Sequence, residues 1–180
     1  MATTTTRLTI EDFEKLPDDR ARNHELVEGQ LVDVSGNTLG HNRVREYLAR
    51  RLGQYVDEHK LGEVVTEQEY DFDGNAHGPD VTFVRADRVA LGDRKLRVQR
   101  FVPDLVVEIV SARDQFNAVM RKAQRYRRCG VRDVWVLTTE TRQALLFSQS
   151  GDKLLSENDS FQSNLIPGFC MALNELFDRE

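Results

Sequence analysis

Cysteine is scarce in this chain of 180 residues: only Cys129 and Cys170 occur, and neither belongs to a Cys-x-x-Cys motif. This excludes a disulfide framework and a thiolate zinc site, so a reducing cytoplasm is the expected setting. Long apolar runs are also absent, because no stretch approaches the ~20 residues of a membrane-spanning helix, and the Thr-rich start lacks the apolar segment of a signal peptide. We therefore expect a soluble, cytoplasmic protein without a membrane partner.

A net positive charge is missing as well, since 25 Lys and Arg face 30 Asp and Glu, which gives a net charge of -5. This total disfavours simple electrostatic adhesion to nucleic acid or to an anionic membrane. The charge is uneven, however: residues 85–132 carry 13 basic and 5 acidic side chains, whereas the flanking segments are acidic. This basic block can contact a phosphate-bearing partner if it forms one surface, and it can equally be a solvated Arg-rich loop and helix face.

Hydrophobic periodicity predicts an α/β fold in which a central mixed sheet is flanked by helices. The length favours one domain over residues 1–180, with a frayed, Thr-rich tail over 1–7. The segments 104–110 and 133–138 resemble strands buried on both faces, and a helix predicted between them over 114–129 implies a right-handed parallel crossover. The other predicted elements are a short helix over 10–16, an N-terminal hairpin extension over 24–34, a long helix over 39–59, strands over 63–72, 79–84 and 143–147, and a short helix over 173–177.

The most informative residues are acids inside segments that otherwise favour burial. Asp80 precedes an apolar strand, and Glu108 lies within 104–110, where strand alternation puts it on the same face as Asp104. A buried carboxylate is costly unless a cation or hydrogen bonds compensate it. Mg²⁺ would compensate both acids, and it keeps waters, one of which can act as the nucleophile. The alternative is that Glu108 pairs with an arginine of the basic block and that Asp80 closes a turn.

Lys122 lies on the border of the apolar stripe of the helix over 114–129 when residues are spaced ~100° apart. It can lean over the edge of the sheet, whereas Arg121, Arg125 and Arg128 are predicted to face solvent. A lysine in that place can orient a water, hold a phosphate or stabilise the charge of a transition state. Snorkelling from the edge of an amphipathic helix is the alternative.

The histidines offer less: His24, His41, His59 and His77 show no metal-ligand spacing. His41, at the start of the long helix, can act as a cap or contact a substrate. Tyr126 is expected in the core. The sequence also lacks a Gly-rich phosphate loop and a Gly-x-Ser-x-Gly elbow, which disfavours nucleotide-binding P-loop proteins and α/β-hydrolases.

Several motifs, in this order and spacing, carry a family resemblance that runs from about Leu8 to Phe177. Together they resemble the Uma-type restriction endonuclease family, a branch of the restriction-endonuclease-like nucleases whose signature is Pro-Asp…(Asp/Glu)-x-Lys, written PD-(D/E)XK. The matching segments are Glu-Leu-Val-Glu-Gly at 25–29, Pro-Asp-Val-Thr-Phe-Val at 79–84, Pro-Asp-Leu-Val-Val-Glu-Ile-Val-Ser at 103–111, Lys-x-x-x-Tyr at 122–126, Gly-Val-Arg-Asp-Val-Trp at 130–135 and Leu-Ile-Pro-Gly-Phe at 165–169.

The resemblance implies a restriction-endonuclease-like core and hydrolysis of DNA phosphodiester bonds. It implies a divalent metal, Mg²⁺ or its substitute Mn²⁺, held by Asp80 and Glu108, with the main-chain carbonyl of Ile109 as a further ligand. Small proteins of this fold commonly form homodimers, which would provide two active sites for the two DNA strands.

Two departures from the family pattern stand out. Val110 occupies the position where the general nuclease signature has lysine, and Lys122 on the following helix is the matching cation in this family. Residues 111–114 read Ser-Ala-Arg-Asp where family members more often have Ser-Pro-Ser. Glu25 is implied as an additional catalytic acid near the metal.

We therefore interpret the chain as a metal-dependent endonuclease in which Asp80, Glu108, Lys122 and Glu25 form the catalytic set and a metal-bound water attacks phosphorus. The alternative is a catalytically inactive relative of the fold that binds nucleic acid or a protein partner through the basic block. Salt-sensitive, metal-independent DNA binding that survives replacement of Glu108 would favour that alternative.

Overall fold

The computed structural model describes residues 7–21, 23–34, 37–110 and 115–179. Within these ranges the chain forms five α-helices, thirteen strands and one 3₁₀ turn at Val89–Leu91. The helices are α1 (Ile10–Glu14), α2 (Asp18–Ala21), α3 (Leu39–Glu58), α4 (Phe116–Arg128) and α5 (Leu173–Phe177). The strands are β1 (His24–Val27), β2 (Gln30–Asp33), β3 (Gly62–Thr66), β4 (Glu69–Asp71), β5 (Ala76–His77), β6 (Val81–Arg85), β7 (Val98–Gln99), β8 (Leu105–Val110), β9 (Asp133–Thr138), β10 (Gln143–Phe147), β11 (Lys153–Leu155), β12 (Ser160–Phe161) and β13 (Met171–Ala172).

A six-stranded mixed sheet, in the order β11-β10-β9-β8-β6-β3, forms the centre of the molecule. All six residues of β8 are buried, as the unbroken apolar run predicted. Strands β8 and β9 run parallel and α4 connects them, which confirms the expected parallel connection. One face of the sheet packs against α3 and α5, and the other face packs against α4. The fold is thus the predicted mixed α/β architecture.

Helix α3 supplies the larger part of one flank. Thr38 caps its N-terminus by accepting a hydrogen bond from the His41 backbone N–H, and the helix ends one residue before the predicted boundary. Its apolar residues recur at helical spacing and face the sheet, and each fully buried side chain of this size contributes about 1.5–3 kcal/mol. The fully buried members of this stripe are Val44, Leu48, Leu52 and Val56.

Helix α4 covers the opposite face and buries Ala123 and Tyr126. It ends before Gly130, whose φ of 97° lies in the left-handed region that favours glycine. The first residue of the predicted helix, Asp114, lies outside the described residues. Phe116, in the first turn of α4, is 43% exposed.

A second sheet, in the order β2-β1-β5-β4-β7, was not predicted, and the expected N-terminal hairpin forms its β1 and β2. The single strand predicted over 63–72 was wrong. Glu67, with a φ of 53°, breaks that segment, so that β3 joins the six-stranded sheet and β4 joins the second sheet. The left-handed turn at Glu67 redirects the chain from one sheet to the other.

The N-terminal region contains the short helix that the sequence predicted. Thr9 and Asp12 form a capping box that starts α1, and the helix ends at Glu14, two residues before the predicted end. Of the predicted frayed tail, residues 1–6 lie outside the described residues, whereas the side chain of Arg7 packs against Gly29. Among the described helices, none combines the length and the apolar character required to cross a membrane.

Candidate active site

Asp80 and Glu108 lie next to each other at the point where β6 and β8 part. The two strands are antiparallel with Val81 opposite Val107, so extending the register by one residue sets Asp80 opposite Glu108. Val107 and Ile109 face α3, and alternation therefore turns Glu108 towards α4. Both acids are buried, at 8% and 6% exposed.

Asp80 is fixed by the backbone of the neighbouring strand. Its Oδ2 accepts a hydrogen bond of 2.7 Å from the Ile109 N–H, and His41 Nε2 lies 3.2 Å from its Oδ1. The Val110 carbonyl accepts from the Thr139 N–H on the β9 side. Because strand backbone groups alternate in direction, the N–H and the carbonyl of Ile109 both face the Asp80 side. His41, which the sequence left open as a cap or substrate contact, thus touches one of the candidate metal ligands.

Glu108 has few hydrogen-bond donors for a buried carboxylate. The Tyr126 hydroxyl donates to its Oε1 at 2.5 Å, and Lys122 Nζ lies 3.9 Å from the same oxygen. Burial raises the pKa of Glu108 to about 7; Lys122 opposes this rise, whereas the negative charges of Asp80 and Glu25 reinforce it. The positive charge of Lys122 is therefore too little to offset the burial of the Glu108 carboxyl.

Glu25, on β1, is by contrast saturated with donors. Its Oε1 accepts from Lys122 Nζ at 2.8 Å and from the Gly78 N–H at 3.2 Å, and its Oε2 lies 2.9 Å from His77 Nδ1. Burial works to raise its pKa, but Lys122 and then His77 outweigh burial and lower the pKa to about 2. Glu25 is therefore ionised and fully engaged, and it has little capacity left for a metal ion.

Lys122 links the two sheets. It projects from α4 to within reach of Glu25 on the second sheet and Glu108 on the central sheet. Although burial opposes its charge, Glu108 and Glu25 raise its pKa above the ordinary lysine value, so the ammonium persists at neutral pH. Its side chain is 21% exposed, which gives solvent access to the site from this side. Lys122 is thus a cation with no tendency to act as a general base.

Two residues of this network, His77 and Arg125, were not predicted from the sequence. Arg125 was expected to face solvent, but its Nη1 lies 2.9 Å from His77 Nε2 and its Nη2 lies 3.3 Å from Glu28 Oε1. Burial lowers the pKa of His77, which is 1% exposed. Tyr126 lies in the core as expected. The available signals were the place of His77 just before Gly-Pro-Asp80 and the three-residue spacing from Lys122 to Arg125.

Asp104 has a separate, structural role. Its carboxylate accepts from the Arg85 backbone N–H at 3.0 Å and lies 2.9 Å from Arg88 Nη1. It precedes β8, four residues from Glu108, and thus about 13 Å away along the strand. Its charge is neutralised there, so the shared strand face does not bring it into the site with Glu108.

The basic block does not form one free cationic surface. Most of its described arginines are paired with acids, some of them within the block and others from other parts of the chain. On α4, Arg121 and Arg128 are exposed and, within the described residues, form no ion pair. The paired residues are Arg85 with Asp87 and Asp104, Arg88 with Asp104, Arg97 with Glu69, Arg100 with Glu14, Arg125 with Glu28 and Arg127 with Asp152.

A metal ion at this site would depend on few protein ligands. In the described part of the chain, no three His, Cys, Asp or Glu side chains are arranged to hold a metal ion. Asp80 and Glu108, with the carbonyl of Ile109, form an all-oxygen set, and the deficit of positive charge at Glu108 is what a cation would correct. Mg²⁺ typically uses one or two carboxylates and retains several waters, so the donor set fits that ion.

Comparison with known proteins identifies a family and a similar fold. The model of the Uma2 family, described as "Putative restriction endonuclease", matches residues 10–174. The crystal structure of a putative nuclease belonging to DUF820 from Anabaena variabilis superimposes with a TM-score of 0.83 at 15% sequence identity, covering 95% of this chain and 98% of that one. At that identity the likeness concerns the fold. No curated protein matches the sequence.

Proposed function

The chain belongs to the Uma2 restriction endonuclease family, and from that premise we propose that it is a metal-dependent endonuclease that hydrolyses DNA phosphodiester bonds. The observation that carries the proposal is the pairing of two buried carboxylates, Asp80 and Glu108, on adjacent strands with the ammonium of Lys122 beside them. Burying these charges is costly, and a protein that only displays a binding surface does not require it.

Asp80 and Glu108 would hold Mg²⁺, or Mn²⁺ in its place, and the Ile109 carbonyl would add a third oxygen. When bound, the ion supplies Lewis-acid stabilisation of phosphate charge and lowers the pKa of water. Asp80 is oriented for this task by the Ile109 N–H, which leaves its Oδ1 on the side of His41. The Tyr126 hydroxyl holds one oxygen of Glu108 and so fixes the orientation of that carboxyl.

Lys122 would stabilise the negative charge that develops on the phosphoryl oxygens in the transition state. Its raised pKa keeps it charged, and its partial burial strengthens the interaction relative to water. It can alternatively orient the attacking water. Glu25 contributes indirectly, because it accepts a hydrogen bond from Lys122 and so holds the ammonium at the edge of the site.

The decisive experiment measures cleavage of supercoiled plasmid and linear duplex DNA by the full chain with Mg²⁺, Mn²⁺ or a chelator. We expect metal-dependent cleavage that falls by at least ~100-fold in Asp80→Asn, Glu108→Gln and Lys122→Met, as for the loss of one group that stabilises transition-state charge. The matched control is Lys153→Met, which removes an exposed lysine on β11 and should cleave normally.

Other outcomes would contradict the proposal. Cleavage that persists in Asp80→Asn would place the chemistry elsewhere. Absence of cleavage with either metal, together with salt-sensitive DNA binding that survives Glu108→Gln, would favour the non-catalytic alternative, because Arg and Lys contacts with phosphate need no carboxylate. Exposed Arg121 and Arg128 on α4 would be the first residues to replace in that case.

We also propose that the protein acts as a cytoplasmic homodimer, so that two sites can address the two strands of a duplex. Light scattering on the purified chain checks the stoichiometry: a mass of about twice 20.7 kDa is expected. A monomer that cleaves both strands would contradict the dimer proposal without affecting the assignment of the site.

A further inference from the structure

His77 is a buried histidine that the chemistry outlined above does not use. It lies on β5, 1% exposed, between the carboxylate of Glu25 and the guanidinium of Arg125. Both of its ring nitrogens are engaged, Nδ1 with Glu25 Oε2 at 2.9 Å and Nε2 with Arg125 Nη1 at 2.9 Å. A buried polar side chain with two specific partners restricts the positions of both.

The two partners of His77 determine which of its ring nitrogens carries the proton. A guanidinium can only donate, so Nε2 must accept from Arg125 and carries no proton. The ring proton therefore lies on Nδ1 and is donated to Glu25. A charged His77 would set two cations against each other. The resulting chain of contacts runs from Arg125 through neutral His77 to Glu25, and from Glu25 to Lys122.

Arg125 and Lys122 are three residues apart on α4 and thus lie on neighbouring positions of one helix surface. Lys122 reaches Glu25 on β1, while Arg125 reaches His77 on β5 and Glu28 in the turn between β1 and β2. Helix α4 is therefore attached to the second sheet at two successive points. This attachment fixes the rotation of α4 about its axis, and with it the direction of Lys122.

We propose that His77 and Arg125 are positioning residues for the catalytic lysine: through Glu25 and through the attachment of α4, they hold the Lys122 ammonium beside Glu108. The catalytic part of this statement rests on the proposed nuclease function. The five-stranded sheet then contributes to the active site without providing a metal ligand, because its polar residues orient the Lys122 ammonium of α4.

The two nitrogens of His77 can be tested separately. The amide nitrogen of asparagine can replace Nδ1, and that of glutamine can replace Nε2, so His77→Asn retains a donor to Glu25 and His77→Gln loses it. We expect His77→Gln and Arg125→Gln to lower kcat by about 10–100-fold, as for other residues that orient a catalytic group, with KM unchanged. His77→Asn should recover part of the lost kcat.

A second measurement does not depend on DNA cleavage. The chain has five lysines, and mass spectrometry can follow the labelling of each by an amine-reactive reagent, with Lys15, Lys60, Lys95 and Lys153 as internal references. Lys122 should label slowly in the wild-type protein. In His77→Gln and Arg125→Gln its labelling should rise selectively, by about tenfold for each unit that its pKa falls. Arg127→Gln is the matched control, because Arg127 pairs with Asp152 and not with this network.

The outcomes separate the two proposals. If the wild-type protein cleaves no DNA but Lys122 labelling rises selectively in both variants, the positioning role stands and the nuclease function fails. If kcat and Lys122 labelling in both variants remain within about twofold of Arg127→Gln, the positioning role is overturned. A rise in labelling shared by all five lysines would indicate loss of the fold and would also count against the positioning role. Arg125 is partly exposed, so Arg125→Gln provides the test if His77→Gln does not fold.

Discussion

Glu25 and Glu108 are both buried glutamates beside the same lysine. They lie on different sheets, and their surroundings shift their pKa values in opposite directions. On the five-stranded sheet, Glu25 accepts three hydrogen bonds and its pKa falls to about 2. On the central sheet, Glu108 accepts one from Tyr126, faces Asp80, and its pKa rises to about 7. Lys122 Nζ lies 2.8 Å from the first and 3.9 Å from the second.

This difference in pKa distinguishes Glu25, an acid with a structural role, from Glu108, an acid whose charge calls for a further cation. Burial is unfavourable for both carboxylates, so the sign of the pKa shift depends on how many donors and cations surround each one. Glu25 has its compensation within the chain. Lys122 and Tyr126 compensate Glu108 only in part, and a divalent ion between Asp80 and Glu108 would supply the remaining positive charge.

The largest expected effect is on stability. Glu25→Gln leaves the buried Lys122 without its closest partner, and we expect it to lower the free energy of unfolding by about 3 kcal/mol, as for other broken buried pairs. Glu108→Gln should instead raise the stability of the metal-free protein by about 1–2 kcal/mol at pH 8, because it removes a carboxylate whose burial outweighs the attraction of Lys122. Chemical denaturation measures the free energy of unfolding of both variants. Equal destabilisation by Glu25→Gln and Glu108→Gln would contradict the difference between the two acids.

The stability of the metal-free protein should depend on pH in opposite ways through the two glutamates. The pKa of Glu25 is lowered from 4.5 to about 2, so its contribution to stability is present above pH 4.5 and is lost as the pH falls towards 2. The pKa of Glu108 is raised from 4.5 to about 7, so its contribution is present below pH 4.5 and is lost as the pH rises to 7. Denaturation midpoints between pH 4.5 and 7 should therefore decline by less in Glu108→Gln than in the wild-type protein. Parallel curves would refute the assignment.

A smaller effect is expected at Tyr126. Tyr126→Phe removes the hydroxyl that donates to Glu108 Oε1, which should weaken Mg²⁺ or Mn²⁺ binding by about tenfold while the helix packing is retained. Calorimetric titration measures the affinity, with Tyr47→Phe as the matched control, since the Tyr47 hydroxyl contacts Glu175 and Arg51 on another side of the molecule. An unchanged affinity would mean that the tyrosine does not orient the metal ligand.

The elements with long, regular patterns could be predicted from sequence. The apolar run of β8 and the helical spacing in α3 were found almost to the residue, since each buries a continuous stripe. The second sheet was missed because β5 and β7 are two residues long and their pairing comes from distant segments. For the same reason the predicted strand over 63–72 did not reveal its break at Glu67.

The residues of the site likewise divide into those that could be predicted from the sequence and those that could not. The resemblance and the strand pattern singled out Asp80 and Glu108, and the register between β6 and β8 sets them side by side. The contacts of Glu25 could not be predicted, because His77 and Lys122 are 52 and 97 residues away in sequence. Arg125 was predicted to face solvent because a helical wheel represents one helix and not the sheet that packs beside it.

A crystal structure of the protein soaked with Mn²⁺, with the ion located by its anomalous scattering, would show directly whether Asp80 and Glu108 hold a metal ion. We predict a single strong peak between the carboxylates of Asp80 and Glu108, within coordination distance of the Ile109 carbonyl, while Lys122 remains hydrogen-bonded to Glu25. A peak on Glu25 or elsewhere, or no ion at Asp80 and Glu108 at saturating Mn²⁺, would contradict it.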